Sequence, residues 1–379
     1  MILHPPHPSH RTWAEIDGAA LAANARTIRE HTGAGLIAVV KANAYGHGFA
    51  QTVPALAPEA AMFAVANVGE ALEVHALAPE TQVLLLGPAA PGERAEVVAH
   101  GFIPMVSSVD EAAAYSQLSR TARTPIHLKL DTGMGRVGLW HEEAVGAVRE
   151  IRALHGVEIT GIASHLAIAD EDADFTREQL ADFHRVAKTL REEEGLAHGK
   201  LHVCNSAGAI VFPGSAGDLV RAGLALFGSS PIAEFQPRLR VPLTLKTQVV
   251  LVRDVPAGRS VSYGRTFTTE RSSRLATLAV GYADGYRRHL SGRGAEVLIR
   301  GRRCAVLGRV TMDQIIADVT ALDACECGDV ATLMGAEIPA AELAQKAGTI
   351  PWDIFTGLGT RVARLALDTR HPTPETPAS

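Results

Sequence analysis

The feature that most constrains this chain is a set of eight short apolar segments that alternate with helical patterns between residues 36 and 228. The intervening stretches, such as DEAAAYSQLSRTA, repeat apolar residues at helical spacing. Continuous apolar strands separated by helices indicate parallel strands that are buried on both faces. Eight such units in roughly 200 residues predict an α/β fold with a closed (β/α)8 barrel of the TIM type. A doubly wound open sheet is disfavoured, because no Gly-rich phosphate turn follows the first strand. The segments are LIAVVK (36–41), MFAVAN (62–67), QVLLLG (82–87), FIPMVS (102–107), IHLKLD (126–131), ITGIASHL (159–166), LHVCNS (201–206) and LVRAGLALFG (219–228).

Polar side chains recur at or just after the carboxyl ends of these segments. In a parallel barrel these ends meet at one rim, and active sites are built there. Polar residues at six of eight strand ends therefore predict a single polar pocket. They are Lys41, Asn43, Asn67, Lys129, Asp131, His165, Asn205, Ser206 and Arg221.

The sequence pattern changes after the predicted barrel. Pro231, Pro237 and Pro242 mark a boundary, and short strands that alternate at period 2 follow it. We predict a barrel over 12–237 and a C-terminal, mainly antiparallel β domain over 238–371. Residues 1–11 and 372–379 are predicted to be a disordered leader and tail.

Charge and composition narrow the possible partners. A net charge of −5 and a pI near 6.3 give no basic field, so a nucleic-acid partner is not expected. No segment is long and apolar enough to span a bilayer, and the N-terminus lacks a signal-peptide pattern. We therefore expect a cytoplasmic protein that binds a small molecule and has no membrane partner.

No metal site is predicted. His4, His7 and His10 lie in a Pro-rich leader without a nearby Cys or carboxylate. This favours a disordered terminal segment over a set of metal ligands. Cys325 and Cys327 form a lone C-x-C without a second pair. The four cysteines are too few for a disulfide scaffold, so reduced thiols are expected.

Lys41 ends the first apolar segment. Burial at the tip of a strand disfavours the ammonium form and lowers the pKa, and a neutral amine can attack a carbonyl to form a Schiff base. The alternative is a lysine whose head extends to water. Lys41 alone leaves both interpretations open.

The motifs together resemble the alanine racemase family, which are pyridoxal-phosphate enzymes of fold type III. In family order the chain contains AVVKANAYGHG, HLKLDTGMGRVG, SHLAIAD, CNSAGA, RAGLALFG, VSYGRTF, GYADGY and GRVTMDQ. The resemblance covers the chain from residue 12 to about residue 361. It implies interconversion of L- and D-alanine with pyridoxal 5'-phosphate as cofactor, in a homodimer that supplies D-alanine for peptidoglycan.

The resemblance also implies a role for individual residues. Lys41 would hold the cofactor and act as one base, and Tyr263 of the partner subunit would act as the other base on the opposite face of the substrate. Arg136 and the backbone N–H of Met312 would bind the substrate carboxylate, and Lys129 matches a position that is often carbamylated. Asp170 and Tyr282 would lie at the substrate entrance, and the remaining cofactor contacts would come from Tyr45, His165, Asn205, Ser206, Arg221, Gly223 and Leu224.

One position departs from the family pattern. The C-terminal motif usually reads Tyr-Glu, whereas this chain has Trp352 and Asp353. An indole can donate a hydrogen bond but has no hydroxyl, so a contact of Trp352 with the cofactor phosphate is in question.

Three alternative functions stay open at this level. A broad-specificity racemase that acts on serine would differ in pocket volume. A fold type III decarboxylase has a cysteine motif that ACECGD (324–329) resembles only superficially. A non-catalytic pyridoxal-phosphate carrier resembles the barrel alone, so the β domain with Tyr263 and Met312 argues against it.

Overall fold

The computed structural model of the protein describes residues 10–367. The predicted leader falls mostly, and the predicted tail entirely, outside these residues. A sheet of parallel strands forms a barrel in the order β10-β2-β3-β4-β5-β6-β8-β9, and the short strand β7 pairs with β6. Hydrogen bonds from Asp218 N to Leu201 O and from Arg221 N to Cys204 O, both 2.9 Å, bring the two ends of this sheet together. The predicted barrel is therefore confirmed. Its strands are β2 (Gly35–Val39), β3 (Met62–Val65), β4 (Gln82–Leu85), β5 (Ile103–Val106), β6 (Thr124–Asp131), β7 (Leu139–Trp140), β8 (Val157–Ala163), β9 (Lys200–His202) and β10 (Leu219–Ala222).

Helices follow the barrel strands, and polar side chains cap several of them. Asn67, Ser108 and Asn205 each accept a hydrogen bond from the backbone N–H three residues later, which satisfies a free donor of the first helical turn. Each of these caps lies just after a strand, so capping fixes where the helix leaves the rim. The helices are α1 (Gly18–Thr32), α2 (Phe49–Leu56), α3 (Val68–Leu77), α4 (Arg94–Ala99), α5 (Val109–Leu118), α6 (Ala144–Arg152), α7 (Ala173–Glu192) and α8 (Ser206–Val211).

The second sheet has eight strands in the order β14-β17-β16-β15-β18-β11-β1-β19, and β14 also pairs with β11. All of its pairings are antiparallel except that of β1 with β19, which confirms a mainly antiparallel β domain. Its strands are β1 (Thr12–Ile16), β11 (Leu243–Val255), β14 (Ser273–Leu278), β15 (Glu296–Ile299), β16 (Arg302–Leu307), β17 (Ile315–Asp318), β18 (Val330–Met334) and β19 (Ala363–Ala366), with a separate hairpin of β12 (Ser260–Val261) and β13 (Phe267–Thr268) and the helices α9 (Ala340–Ala347) and α10 (Pro351–Thr356).

The chain divides into two compact units. One holds residues 21–44 and 52–240, and the other holds 10–20, 45–51 and 241–367. The predicted barrel range of 12–237 includes β1, but this strand pairs with β11 and β19 of the second unit. The five residues TWAEI would suit a strand of either sheet, so the sequence alone does not show which sheet β1 joins.

Short 3-10 helices complete the secondary structure. They are Pro91–Glu93, Pro213–Ser215, Leu224–Phe227, Ala233–Arg238, Tyr263–Arg265, Tyr282–Asp284 and Arg288–Leu290. Residues 10–367 contain no helix that combines the length and the apolar character needed to cross a membrane. The same part of the chain contains no group of three His, Cys, Asp or Glu side chains that could hold a metal ion.

Candidate active site

Lys41 begins a left-handed turn directly after β2. Ala42, Asn43, Ala44 and Tyr45 have φ values of 56°, 51°, 54° and 51°. This conformation costs an L-residue roughly 1–2 kcal/mol, so four in succession are a strained segment that its surroundings must hold in place. Burial lowers the pKa of Lys41, the Arg136 guanidinium lowers it further, and the Glu70 carboxylate opposes both. The amine is therefore more readily available in its neutral, nucleophilic form than that of an exposed lysine.

Arg221 lies on β10 with only 4% of its surface exposed. Its two terminal nitrogens donate to the carbonyls of Ser164, His202 and Val203 and to ring nitrogens of His165 and His202, at 2.6–3.1 Å. Within the described chain no acceptor meets its Nε. Burial lowers the pKa of Arg221 to about 10, so the guanidinium is still protonated at neutral pH. One N–H thus remains available for a ligand.

Two buried histidines extend this network, and sequence reasoning did not identify either of them. His202 Nδ1 accepts from Arg221, so its Nε2 carries the proton and donates to His127 Nδ1 at 2.8 Å. Burial lowers the pKa of His127 to about 4 and that of His202 well below its usual value. The signal was the position of each histidine within an apolar strand segment, next to residues that were recognised.

His165 is held neutral in the same way. Its Nδ1 accepts from Arg221 at 3.1 Å. Burial lowers the pKa of His165 well below its usual value, and the positive charges of Arg221, Lys129, Arg136 and Lys41 lower it further. These influences show that the five side chains share one cationic region of the barrel. Such a region suits an anionic ligand.

The loop after β6 is organised by Asp131. Its carboxylate accepts hydrogen bonds from the backbone N–H groups of Gly133, Gly135 and Arg136 at 2.9–3.1 Å. Burial would raise the pKa of Asp131, but these backbone hydrogen bonds outweigh it and the pKa is lowered. Within the described residues no acceptor or carboxylate pairs with the Arg136 guanidinium. It is therefore available for a carboxylate ligand.

Lys129 is buried two residues before Asp131, with 4% of its surface exposed. Burial lowers its pKa well below the usual value, and Arg221 and Arg136 lower it further against the opposing charge of Asp131. A buried ammonium beside two guanidinium groups is unfavourable, so the neutral amine of Lys129 is favoured more than that of an exposed lysine.

Ser206 is hydrogen-bonded to the segment that follows β10. The Ser206 hydroxyl accepts from the backbone N–H groups of Gly223 at 3.1 Å and Ala225 at 3.3 Å. Asn205 accepts from Gly208 N at 2.9 Å and donates to Leu166 O at 3.4 Å. The structure thus brings together Asn205, Ser206 and the Gly223–Leu224 backbone, which are residues predicted to contact the cofactor.

The other predicted residues lie in the second unit, except Asp170, which is exposed in the loop before α7. Tyr45 is buried, and burial raises the pKa of its phenol to about 12. Trp352 lies on α10, where its carbonyl accepts from Thr356 Oγ1 at 2.8 Å, and Asp353 pairs with Arg287 at 2.7 Å.

Tyr263 lies on a strained turn between β12 and β13. Ser262, Gly264 and Arg265 have φ values of 63°, 71° and 50°, and the Ser262 hydroxyl donates to Arg309 O at 2.6 Å. The Tyr263 side chain is 68% exposed. It lines a concavity of about 710 Å³ together with Leu251 and other residues of the second unit.

Tyr282 and Met312 are neighbours on the same unit. The backbone N–H of Tyr282 donates to Thr311 O at 3.0 Å, and that of Ala283 donates to Met312 O at 3.1 Å. A Cβ on Gly281 would lie 2.3 Å from Met312 backbone atoms, so this close approach requires glycine. The side chains of Tyr282 and Met312 are exposed.

Comparison with known proteins yields one consistent family. Residues 16–231 match the model of the alanine racemase N-terminal domain, and residues 242–366 match that of the alanine racemase C-terminal domain. The chain is 41% identical over 367 residues to an alanine racemase of Symbiobacterium thermophilum, covering 93% of this chain and 96% of that protein. It is 39% identical to an alanine racemase of Geobacter sulfurreducens, covering 95% and 98%.

Solved structures agree with the sequence relatives. The alanine racemase of a D-cycloserine-producing Streptomyces lavendulae is 37% identical with a TM-score of 0.86, covering 94% of this chain and 97% of that one. The Bartonella henselae alanine racemase, whose crystal structure has covalently bound pyridoxal phosphate, is 33% identical with a TM-score of 0.85, covering 94% and 99%.

The role of Asp131 predicts a specific pH dependence of stability. Because folding lowers its pKa, its contribution is present above the unfolded value of about 3.9 and disappears as the pH falls through the lower folded value. Asp131→Asn should reduce the free energy of unfolding by about 1–3 kcal/mol at pH 7, as a carboxylate oxygen is replaced by an amide donor that cannot accept. Urea titrations of both proteins should show this difference shrinking below about pH 4.

The control is Glu150→Gln, which neutralises an exposed carboxylate on α6. It should change the free energy of unfolding by less than about 0.5 kcal/mol at every pH. A difference between wild type and Asp131→Asn that stays constant down to pH 3 would contradict the assignment.

Proposed function

The chain belongs to the alanine racemase family, and from this premise we propose that it is a pyridoxal-phosphate isomerase that interconverts L- and D-alanine with two bases. The observation that carries the proposal is Lys41, whose amine has a lowered pKa at the rim of the barrel, within the same cationic region as Arg136, Lys129, His165 and Arg221. An amine in that state suits both covalent attachment of an aldehyde cofactor and proton transfer near neutral pH.

The described residues fit pyridoxal 5'-phosphate. The Ser206 hydroxyl and the backbone of Gly223 and Leu224 lie after the last barrel strands, where phosphate sites of such barrels are built. Among the described residues no acceptor meets the Nε–H of Arg221, which suits an acceptor such as a pyridine nitrogen. Tyr45 and Asn205 are the further proposed contacts. When bound, the cofactor supplies a conjugated electron sink that makes the Cα proton of an amino acid removable.

Arg221 sets the strength of that sink. A guanidinium with a pKa of about 10 donates a hydrogen bond and keeps its proton at neutral pH, so the group that faces it stays an unprotonated acceptor. His165 accepts from Arg221 and is neutral, so it cannot supply a proton in its place. A weaker sink favours return of a proton to Cα over other fates of the substrate.

Two bases suit racemisation because it removes a proton from one face of Cα and adds one to the other. Lys41 serves one face. Tyr263 is the proposed second base, and its exposed position on a turn that is fixed through Ser262 and Arg309 supports this role. Tyr263, Tyr282 and Met312 are large, exposed side chains of the second unit, and exposed large side chains of this kind suit contact with another subunit. We therefore propose a twofold homodimer in which Tyr263 of the partner subunit completes the site.

The substrate carboxylate is assigned to Arg136, with the Met312 backbone N–H of the partner subunit as a second donor. The Arg136 guanidinium pairs with no acceptor of residues 10–367, so it can form a charge-assisted pair with a carboxylate. Asp170 and Tyr282, both exposed, are proposed at the entrance. The physiological role that follows is supply of D-alanine for peptidoglycan, and the cytoplasmic location stays a prediction.

Among the alternatives, the match to both family domains supports a racemase over a decarboxylase or a non-catalytic carrier. Activity on serine stays open. Trp352 is the residue at which this chain departs from the family pattern and is the first position to vary when substrates are compared.

The two-base proposal predicts that Tyr263→Phe separates proton exchange from racemisation. Removal of one general base should reduce racemisation by about 10²–10⁴-fold. Lys41 should still exchange the Cα hydrogen of one enantiomer with solvent deuterium, without producing the other enantiomer. Proton NMR of each alanine enantiomer in deuterated buffer measures both quantities.

The matched control is Tyr115→Phe, because the buried Tyr115 hydroxyl has no partner within the described chain. It should racemise alanine as the wild type does. Loss of exchange from both enantiomers in Tyr263→Phe, or full activity of that variant, would contradict a second base at Tyr263.

A shared site predicts complementation between two inactive variants. Lys41→Ala and Tyr263→Phe should each lose activity. A mixed dimer of the two has one site with both substitutions and one site with neither, if the bases come from different subunits. Mixing, dissociation and reassociation should therefore restore up to a quarter of wild-type activity per total protein by the statistics of random pairing, roughly one intact site in four. Absence of recovery in verified mixed dimers would place both bases in one subunit.

The lowered pKa of Lys129 supports the proposed carbamylation, because a neutral amine can attack carbon dioxide and lose a proton to give a carbamate. The resulting anion would pair with Arg136. Wild type supplied with ¹³C-bicarbonate should give a carbamate carbon resonance that is absent from Lys129→Met. The control Lys188→Met, on an exposed lysine of α7, should keep the signal. A wild-type spectrum without the resonance would contradict the modification.

A further inference from the structure

The left-handed turn after Lys41 needs an external support. Its four consecutive non-glycine residues with positive φ extend from Ala42 to Tyr45, and the backbone N–H of Ala44 donates to Val40 O at 2.7 Å. Such a segment persists only where neighbouring groups fix it.

The Glu70 carboxylate supplies that support. Its Oε1 accepts from the backbone N–H of Ala42 at 2.7 Å, and its Oε2 accepts from that of Ala66 at 2.8 Å. Both distances are those of strong hydrogen bonds to a charged acceptor. Ala42 begins the turn and Ala66 follows β3, so one carboxylate joins the ends of two neighbouring barrel strands.

Glu70 is itself held in place. It lies in the first turn of α3, where its backbone N–H donates to the cap residue Asn67 at 2.9 Å. The amino end of a helix also favours a negative charge. The carboxylate is therefore fixed on one side by the helix and on the other by the two amides.

Helix capping alone does not account for this arrangement. The same motif recurs at the start of α5, where Ser108 caps the helix and Glu111 Oε2 accepts from Ser107 N at 2.8 Å. In that case the other oxygen, Glu111 Oε1, has no hydrogen-bond partner within the described residues. At Glu70, in contrast, the second oxygen accepts from the backbone N–H of Ala42, in the segment that follows Lys41.

We propose that Glu70 is a positioning residue for Lys41: its carboxylate holds the left-handed turn in the conformation that presents the lysine amine to the pocket. The inference rests on the proposed function of Lys41. The Glu70 carboxylate also affects Lys41 through its charge. It opposes the lowering of the Lys41 pKa by burial and by Arg136.

The test compares Glu70→Gln with Glu111→Gln in the full-length protein without added cofactor. An amide can accept from one of the two backbone N–H groups, but its NH₂ faces the other as a second donor. In Glu70→Gln, backbone hydrogen exchange over residues 41–46 should accelerate at least about tenfold, because the turn opens more often. The pH dependence of Lys41 labelling by an amine-reactive reagent, read by peptide mass spectrometry, should also change. Glu111→Gln should alter neither quantity.

With pyridoxal phosphate added, Glu70→Gln should racemise both enantiomers more slowly by a similar factor, about 10²-fold for a misplaced reacting group. Glu70→Asp keeps the charge and should recover part of the activity. If Glu70→Gln does not fold, Glu70→Asp is compared with the wild type in its place. Equal exchange and labelling in Glu70→Gln, Glu111→Gln and wild type would overturn the inference. Because these two readouts need no turnover, a wild type that fails to racemise alanine contradicts the proposed function without deciding the role of Glu70.

Discussion

A guanidinium buried in the barrel sets the conditions for the whole candidate site. Arg221 keeps its charge at neutral pH although it is almost fully enclosed, so its hydrogen bonds have to be satisfied by the protein. Three backbone carbonyls and two histidine rings do this, and they come from the ends of β8, β9 and the residues that follow them. The same hydrogen bonds thus order three neighbouring strand ends and fix the tautomers of the histidines.

The charge of Arg221 also determines the protonation of its neighbours. Lys129, His165 and His202 are buried close enough for it to lower their pKa values, so the protonated form of each is disfavoured. The charge of Arg136 likewise lowers the pKa of Lys41. Cationic groups that lower one another's pKa values increase the fraction of neutral amine, and that is the form in which a lysine attacks a carbonyl or accepts a proton.

The sequence predicted the architecture better than the local geometry of the site. Eight apolar segments gave the barrel, and the polar residues at their ends include Lys129, His165 and Arg221, which the structure brings together. His127 and His202 were missed because a single histidine inside an apolar strand segment looks like a packing residue. Strand β1 was placed with the barrel range because sequence order does not show that it pairs with β11 and β19. Glu70 was missed because its contact with the backbone N–H of Ala42, unlike its part in the helix cap, leaves no pattern in side-chain types.

The two proposed bases share a physical property that the sequence does not show. Lys41 precedes four non-glycine residues with positive φ, and Tyr263 lies between Ser262 and Arg265, which also have positive φ. In each case a polar group fixes the strained backbone: the Glu70 carboxylate at one turn and the Ser262 hydroxyl, bound to Arg309 O, at the other. Strain of this kind costs stability, and it is expected where the position of a side chain matters more than the stability of its segment. Held turns limit the rotation available to a base, and a base that transfers a proton to a planar carbon must approach it from one defined face.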